Sequence, residues 1–123
     1  MNRGHILVVD DHLDNQQLMT WILQDEDYQV TCVGSAEDGL EALKTQAFDA
    51  VLMDISLPGM DGKQATQAIR AQPQFAALPI YALTAHSMDV EQKAIMASGV
   101  TELFVKPIDE ERLIRCLAAT GRA

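Results

Sequence analysis

The chain has 123 residues, of which 48% are hydrophobic and 22% are charged, a composition typical of one folded domain. Eighteen acidic residues against nine basic ones give a formal net charge of −9, which disfavours binding to nucleic acid phosphates. The apolar runs are far shorter than the ~20 residues that a membrane span needs, and no signal-type segment follows the start. We therefore expect one cytoplasmic domain over residues 1–123, with neither nucleic acid nor membrane as a partner.

The two cysteines and three histidines do not predict a zinc site. Cys32 and Cys116 lie in different halves of the chain and lack CxxC spacing, so we expect reduced, buried thiols. His5, His12 and His86 are scattered along the chain, which argues against a zinc centre.

Five short apolar runs predict five β-strands, at residues 6–9, 28–33, 50–53, 80–83 and 103–105. Four of the runs are continuously apolar, as strands buried on both faces are. The run at 28–33 instead alternates apolar and polar residues and predicts an edge strand.

The segments between the runs carry apolar residues at helical spacing. In the first of these segments we expect four residues to fill the inward positions, namely Leu18, Met19, Ile22 and Leu23. Ser35, with Asp38 three residues later, predicts a capping box at the start of the second helix, and Gly99 predicts the end of the fourth.

Strand and helix thus alternate five times, which predicts an α/β fold of the (βα)5 type. It is a doubly wound, five-stranded parallel sheet with helices on both faces, because consecutive parallel strands are joined by right-handed crossovers. With the second strand at an edge, the strand order is 2-1-3-4-5, and the first and third strands are neighbours.

Polar side chains follow four of the predicted strands. Asp10 and Asp11 follow the first, Asp54 the third, Thr84 the fourth and Lys106 the fifth. The carboxyl ends of the strands in such a sheet are where ligands bind, so we expect these side chains to lie together.

Three carboxylates at one edge require raised pKa values or a bound cation. Two carboxylates ~4 Å apart repel by roughly 4 kcal/mol at an effective dielectric constant of about 20. Mg²⁺ prefers oxygen ligands and commonly joins one or two carboxylates to a phosphate oxygen. Lys106 adds a positive charge and Thr84 a hydroxyl donor, so the site suits a tetrahedral dianion beside a carboxylate nucleophile.

Each of these residues also has an ordinary structural explanation. Asp10 and Asp11 could cap a helix, Asp54 could belong to a turn, Thr84 could end a strand and Lys106 could be a solvated charge. These explanations do not account for all five residues at the same sheet edge, so we favour the functional interpretation.

Four segments together resemble the receiver domains of two-component response regulators. They are ILVVDD at 6–11, VLMDISLPGMDG at 51–62, IYALTA at 80–85 and VKPI at 105–108, in the family's order and spacing. The resemblance covers nearly the whole chain. It implies a CheY-like, flavodoxin-like fold and a phosphoacceptor that uses Mg²⁺, or Mn²⁺ in its place.

The resemblance also implies a role for each site residue. Asp54 would accept the phosphoryl group, Asp11 would be a direct metal ligand and Asp10 a ligand through water. The backbone carbonyl of Ser56 would be a third protein ligand.

The remaining roles concern the phosphoryl group itself. Lys106 would pair with a phosphoryl oxygen, and Thr84 would turn its hydroxyl toward the group. The backbone at Ile55 and Ala85 would contact it, and the bond before Pro107 would be cis, a geometry that costs little before proline.

One position departs from the family pattern. Receivers usually carry Tyr or Phe three residues before the lysine, but here that residue is Leu103, followed by Phe104. Strand alternation would aim Phe104 at the opposite face of the sheet. The usual aromatic readout of phosphorylation is therefore in doubt.

The expected function is a signalling switch or phosphorelay shuttle that accepts its phosphoryl group from a histidine kinase or a histidine phosphotransfer protein. It would catalyse only its own phosphorylation and dephosphorylation. We expect no output domain, and the position of Met1 close to the first strand favours a natural start over a receiver excised from a hybrid kinase.

The first helix is the expected docking surface for the phosphoryl donor, through Leu13, Asn15, Leu18 and Trp21. Trp21 is the only tryptophan, and partly exposed aromatic residues are enriched in binding hot spots. The alternative is that the Trp21 ring merely lies along the helix surface.

Three other functions fit parts of the same pattern. A haloacid-dehalogenase-type phosphohydrolase places its nucleophile after the first strand in a DxD pattern, whereas this strand ends in Asp10-Asp11-His12. A flavodoxin-like flavin carrier needs an anion-accepting loop there, which the acidic residues oppose. The complete acidic set argues against a receiver that only docks and is never phosphorylated.

Overall fold

The structure is a computed structural model that describes residues 3–57, 59–85 and 89–119. Within these residues the elements run β1 (Gly4–Val9), α1 (Leu13–Asp25), β2 (Tyr28–Val33), α2 (Ala36–Thr45), β3 (Ala50–Asp54), α3 (Gly62–Arg70), β4 (Ile80–Thr84), α4 (Asp89–Ala97), β5 (Glu102–Val105) and α5 (Glu110–Ala119). A 3-10 turn, Pro73–Phe75, precedes β4. Among the described helices none has the length and apolar character of a membrane span.

The five strands form one parallel sheet in the order β2-β1-β3-β4-β5, which confirms the predicted topology. β2 is an edge strand, as its alternating pattern predicts. β5 is the other edge, and Phe104 is its only fully buried residue. The apolar run at 103–105 had predicted burial on both faces, but an edge strand lacks a neighbour on one side and stays partly open.

Two hydrophobic cores lie on opposite faces of the sheet, because successive strand residues point to opposite sides. One core packs beneath α2, α3 and α4 and includes Val51, Ile80 and Ile95. The other packs beneath α1 and α5 and includes Phe104 and Leu113. Cys32 and Cys116, at the second core, are free cysteines, but they are only partly buried, so the expectation of buried thiols was wrong.

β5 divides its two central side chains between these cores. Leu103 packs against the core under α4, whereas Phe104 is buried in the core under α5. The prediction that Phe104 faces away from Leu103 is therefore confirmed.

The buried face of α1 is narrower than predicted. Met19 and Leu23 are buried, but Leu18 is 50% exposed and Ile22 is only partly buried. The expectation that all four residues point inward was wrong for Leu18. Successive residues of a helix differ in direction by 100°, so Met19 and Leu23 can face the sheet while Leu18 and Ile22 lie along the flank of the helix.

Helix ends follow local side-chain chemistry. Ser35 caps α2, with its hydroxyl accepting a hydrogen bond from the Asp38 N–H at 3.1 Å. Gly99 lies two residues beyond α4 with a φ of 110°, in the region that favours glycine. A reciprocal capping box that sequence analysis did not assign joins Asp61 and Gln64 at the start of α3.

Candidate functional site

The sheet brings the predicted acidic residues together at its carboxyl edge. Asp10 follows β1 and Asp54 ends β3, and these neighbouring strands are in register with Val9 opposite Met53. Ligand atoms from four residues lie within 4.8 Å of one another, namely those of Asp10, Asp11, His12 and Asp54. Asp10 and Asp54 are buried, whereas Asp11 and His12 face outward.

Backbone and side-chain hydrogen bonds hold Asp10 in place. Its Oδ1 accepts from the His12 N–H at 2.9 Å, and its own N–H donates to the Val33 carbonyl at 3.1 Å. The Gln16 amide donates to the Asp10 carbonyl at 2.6 Å. The start of α1 is therefore tied to the ends of β1 and β2, and the acidic pair is pre-positioned.

The Asp54 carboxylate is buried, and its neighbours include both positive and negative charges. Its Oδ1 accepts from the Ser56 N–H at 3.1 Å, and its Oδ2 lies 3.7 Å from the Lys106 ammonium. Burial raises the pKa of Asp54, and the charges of Asp10 and Asp11 raise it further, against the lowering effects of Lys106 and the Ser56 N–H. The ionised carboxylate is thus held in unfavourable surroundings that a bound cation would improve.

Backbone contacts shape the loop from β3 to α3. The Ile55 carbonyl accepts from the N–H groups of Leu57 and Gly62, both at 3.1 Å. Gly62 approaches so closely that a Cβ there would lie 2.5 Å from the Asp54 carbonyl oxygen. Only glycine fits at this contact between the start of α3 and the end of β3.

The backbone assignment at Ile55 needs correction. The Ile55 N–H donates to the Leu83 carbonyl at 3.0 Å, so the sheet ladder already uses this donor. The N–H that points at the Asp54 carboxylate is that of Ser56. Sequence position alone could not distinguish these two successive amides.

The opposite wall of the site comes from β4 and the segment after β5. Thr84 is fully buried at the end of β4, and its carbonyl accepts from the Lys106 N–H at 2.7 Å. Ala85 follows and is exposed. The Lys106–Pro107 bond is cis, the geometry that the resemblance implies. Neighbouring Pro58 and His86 lie outside the described residues.

The chemistry of the donors fits a hard divalent cation. Asp10, Asp11 and Asp54 supply carboxylate oxygens, and the chain at Ser56 runs directly beside the Asp54 carboxylate. Such an oxygen set at a shallow site suits Mg²⁺.

His12 is the member of this cluster that sequence analysis missed. The three histidines lack the sequence spacing of a zinc site, so His12 was not predicted as a ligand. The available signal was the position of His12 directly after Asp10 and Asp11.

All four predicted docking residues lie on α1. Leu13 is 78% exposed and Trp21 is 64% exposed. Asn15 and Leu18 line a groove of about 340 Å³ that reaches Asp10 and continues along the segment after β5, at Lys106, Pro107 and Ile108. An apolar surface therefore leads from α1 to the acidic site.

Residues 6–118 match the family described as Response regulator receiver domain. The chain belongs to this family. It is a receiver domain of the two-component type and shares its CheY-like fold with solved relatives. Family membership sets aside the phosphohydrolase and flavin-carrier alternatives.

Relatives of known sequence include both long and short proteins. The Sensor protein GacS of Pseudomonas syringae pv. syringae is 42% identical over 122 residues, which cover 96% of this receiver and 14% of that protein. Protein PilH of Pseudomonas aeruginosa is 30% identical, with 94% of this receiver and 96% of that protein covered. The receiver thus spans about one-seventh of the length of the GacS protein.

Solved structures share the fold closely. The receiver domain of sensor histidine kinase PA1611 from Pseudomonas aeruginosa PAO1 has a TM-score of 0.86 and 34% identity, with 93% of each chain covered. That structure has a magnesium ion coordinated in its active site cleft. The chemotaxis protein CheY4 of Vibrio cholerae has a TM-score of 0.88 and 29% identity, with 96% of this chain and 98% of that one covered.

Proposed function

We propose that this receiver accepts one phosphoryl group on Asp54, in a reaction that requires Mg²⁺, and acts as a signalling switch or phosphorelay shuttle. The donor is a histidine kinase or a histidine phosphotransfer protein. The observation that carries the proposal is the buried Asp54 carboxylate, held between an acidic pair and the Lys106 ammonium at 3.7 Å.

In this reaction an Asp54 oxygen attacks the phosphorus of a phosphohistidine. The new O–P bond forms as the P–N bond breaks, and the donor imidazole leaves with the electron pair and takes up a proton. Lys106 balances charge on the phosphoryl oxygens, and the N–H groups of Ser56 and Ala85 are candidate donors to them. Thr84 offers its hydroxyl once the group has arrived.

The cation belongs on the acidic side of Asp54. Asp11 and Asp54 would hold Mg²⁺, or Mn²⁺ in its place, with the Ser56 carbonyl as a further ligand and Asp10 acting through water. An ion held by these residues would neutralise charge on the carboxylates and the phosphoryl group. The magnesium in the related PA1611 receiver supports this assignment.

Labelling by acetyl phosphate tests the site. We expect one phosphoryl group per chain with Mg²⁺, measured by intact mass, and none in Asp54→Asn. Asp25→Asn, a change of an exposed aspartate near the far end of α1, is the matched control and should label normally. Labelling of Asp54→Asn, or full labelling with the metal chelated, would contradict the proposal. Failure of the parent to label would favour a receiver that only docks.

Thr84 is proposed to sense the phosphoryl group rather than to form the bond. Thr84→Ala should still be labelled but should lose most of the conformational response. Beryllofluoride, which mimics the acyl phosphate, allows the amide spectra of parent and variant to be compared. Thr45→Ala, on exposed α2 surface, is the control. A full response in Thr84→Ala would mean that another residue triggers the switch.

Docking of the phosphoryl donor is proposed on α1. A helical donor would cover Leu13, Leu18 and Trp21 and reach Asp54 along the adjoining groove. Trp21→Ala should slow transfer from the cognate protein at least about tenfold, because truncating a hot-spot aromatic residue costs ~2 kcal/mol or more.

The control for Trp21 is Val90→Ala, which removes an exposed apolar side chain from α4 instead of α1. It should leave transfer unchanged. Acetyl phosphate labelling should be normal in both variants. An unchanged rate in Trp21→Ala would make Trp21 a surface ring, and equal losses with both donors would point to damage to the fold.

A further inference from the structure

The His12 ring lies against the two carboxylates that follow β1. Its Nδ1 is 3.1 Å from Oδ1 of Asp11 and 3.3 Å from Oδ1 of Asp10. The His12 N–H donates to Asp10 at 2.9 Å, which fixes the backbone from which the ring projects. The side chain is nevertheless 64% exposed, so the ring can adjust without disturbing the core.

The spacing of these atoms suits a shared ion. Ligand atoms about 2.1 Å from one octahedral ion lie roughly 3 to 4.2 Å apart. The ligand atoms of His12 and the three aspartates already lie within 4.8 Å of one another, so small side-chain movements bring them to one centre. The cluster therefore contains a nitrogen donor beside its carboxylate oxygens.

The identity of the ion decides whether this nitrogen is used. Mg²⁺ strongly prefers oxygen and retains water in its remaining positions. Co²⁺, Ni²⁺ and Zn²⁺ bind imidazole well and gain affinity from it. One site can therefore have two ligand sets, one without His12 and one with it.

We propose that Nδ1 of His12 is a ligand for Co²⁺, Ni²⁺ and Zn²⁺ in this site, and that Mg²⁺ binds without it. The inference rests on the proposed cation site of the receiver and adds a residue that sets its metal selectivity. His12 makes the site favour these transition metal ions over Mg²⁺ more strongly than the aspartates alone would.

Calorimetric titration of the full chain with Mg²⁺ and with Co²⁺ tests this selectivity. His12→Gln keeps a polar side chain but removes the imidazole nitrogen. We expect its Co²⁺ affinity to fall at least about tenfold, the scale on which lost metal-site interactions act. Its Mg²⁺ affinity should change less than about twofold. His5→Gln, at the opposite end of the sheet, should leave both affinities unchanged.

Proton NMR of the Co²⁺-loaded protein detects the ligand directly. A ligated imidazole gives a strongly shifted, exchangeable ring N–H resonance, which should be present in the parent and in His86→Gln but absent in His12→Gln. Persistence of that resonance in His12→Gln, or its loss in His86→Gln instead, would overturn the assignment.

The two proposals fail in different ways. Equal Co²⁺ affinity in parent and His12→Gln, with normal Mg²⁺ binding and normal Asp54 labelling, would overturn only the role of His12. Absence of both Mg²⁺ binding and Mg²⁺-dependent labelling in the parent would overturn the cation site and the proposed function together.

Discussion

The two ends of the parallel sheet differ in how their polar and charged groups are paired. At the amino end, donors meet acceptors: the His5 N–H donates to Oδ2 of Asp49 at 2.8 Å, and the Arg70 guanidinium donates to the carbonyls of Phe75, Leu78 and Gly99 at 2.7 to 2.8 Å. At the carboxyl end, the carboxylates of Asp10, Asp11 and Asp54 lie together, and the Lys106 ammonium is 3.7 Å from Oδ2 of Asp54.

This contrast separates stability from function within one sheet. The amino end satisfies its polar groups internally, which ties the C-terminal end of α3 to the loops before β4 and β5. At the carboxyl end, the pKa of Asp54 is raised, chiefly by burial. The ionised Asp54 carboxylate is therefore in an unfavourable environment, which a bound cation and a phosphoryl group would improve. Removing the charge of Arg70 at the amino end and of Asp54 at the carboxyl end should therefore change stability in opposite directions.

The largest expected effect is at the amino end. Arg70→Ala should lower the free energy of unfolding by roughly 3 kcal/mol. Partly buried carbonyls would lose their donors, and the end of α3 would lose the hydrogen bonds that join it to the loops before β4 and β5. Urea denaturation followed by circular dichroism measures the loss. A change below about 1 kcal/mol would show that water replaces the guanidinium and that the amino end is not the stabilising one.

The carboxyl end should also contain one position that tolerates no change. Gly62→Ala should destabilise the fold by roughly 2 kcal/mol, since the added methyl group would overlap the backbone at Asp54 and Ile55. Gly34→Ala is the matched control, because its nearest neighbouring atom is 4.0 Å from the added carbon. Equal stability of the two variants would mean that α3 shifts freely away from β3.

Asp54→Asn should stabilise the metal-free protein at neutral pH, on the order of 1 kcal/mol, because it removes a buried charge while keeping an acceptor for the Ser56 N–H. The folded pKa of Asp54 is raised above 3.8, so the stability linked to its proton is fully present below pH 3.8 and is lost as pH rises through the folded pKa.

The advantage of Asp54→Asn should therefore be small in acid and grow toward neutral pH. Urea titrations of both proteins in a metal chelator, at several pH values from 4 to 8, measure this difference. A less stable variant at every pH would mean that the Lys106 contact outweighs the burial of the charge.

The smallest expected effect lies away from both sheet ends. Arg115→Ala removes a 3.8 Å ion pair with Glu111 on α5, and both side chains are highly exposed. Such surface pairs contribute about 0.5 kcal/mol or less. A melting temperature close to that of the parent would confirm that the large loss in Arg70→Ala comes from the buried bonds and not from a lost positive charge.

The sequence predicted features that depend on strand order and periodicity. The apolar runs located all five strands, and their polar ends located Asp10, Asp54, Thr84 and Lys106 at one edge. These predictions succeeded because a parallel sheet fixes which strand ends meet, whatever the details of the loops.

The remaining features depend on three-dimensional contacts between segments distant in sequence. The bonds of Arg70 reach the Gly99 carbonyl, which no local pattern encodes. Leu18 turned outward because neighbouring positions on a helix differ by 100°, which leaves the width of the buried face undecided by spacing. His12 was missed because its partners are aspartates and not other histidines.

The position of Trp21 makes it an intrinsic fluorescence probe of the α1 surface. It is the only tryptophan, and its indole is largely in water on the side of α1 that carries Leu13. Indole emission moves to shorter wavelength when water is excluded from the ring. Any protein that covers this side of α1 should therefore reveal itself through the intrinsic fluorescence of the receiver, without an attached dye and without chemistry at Asp54.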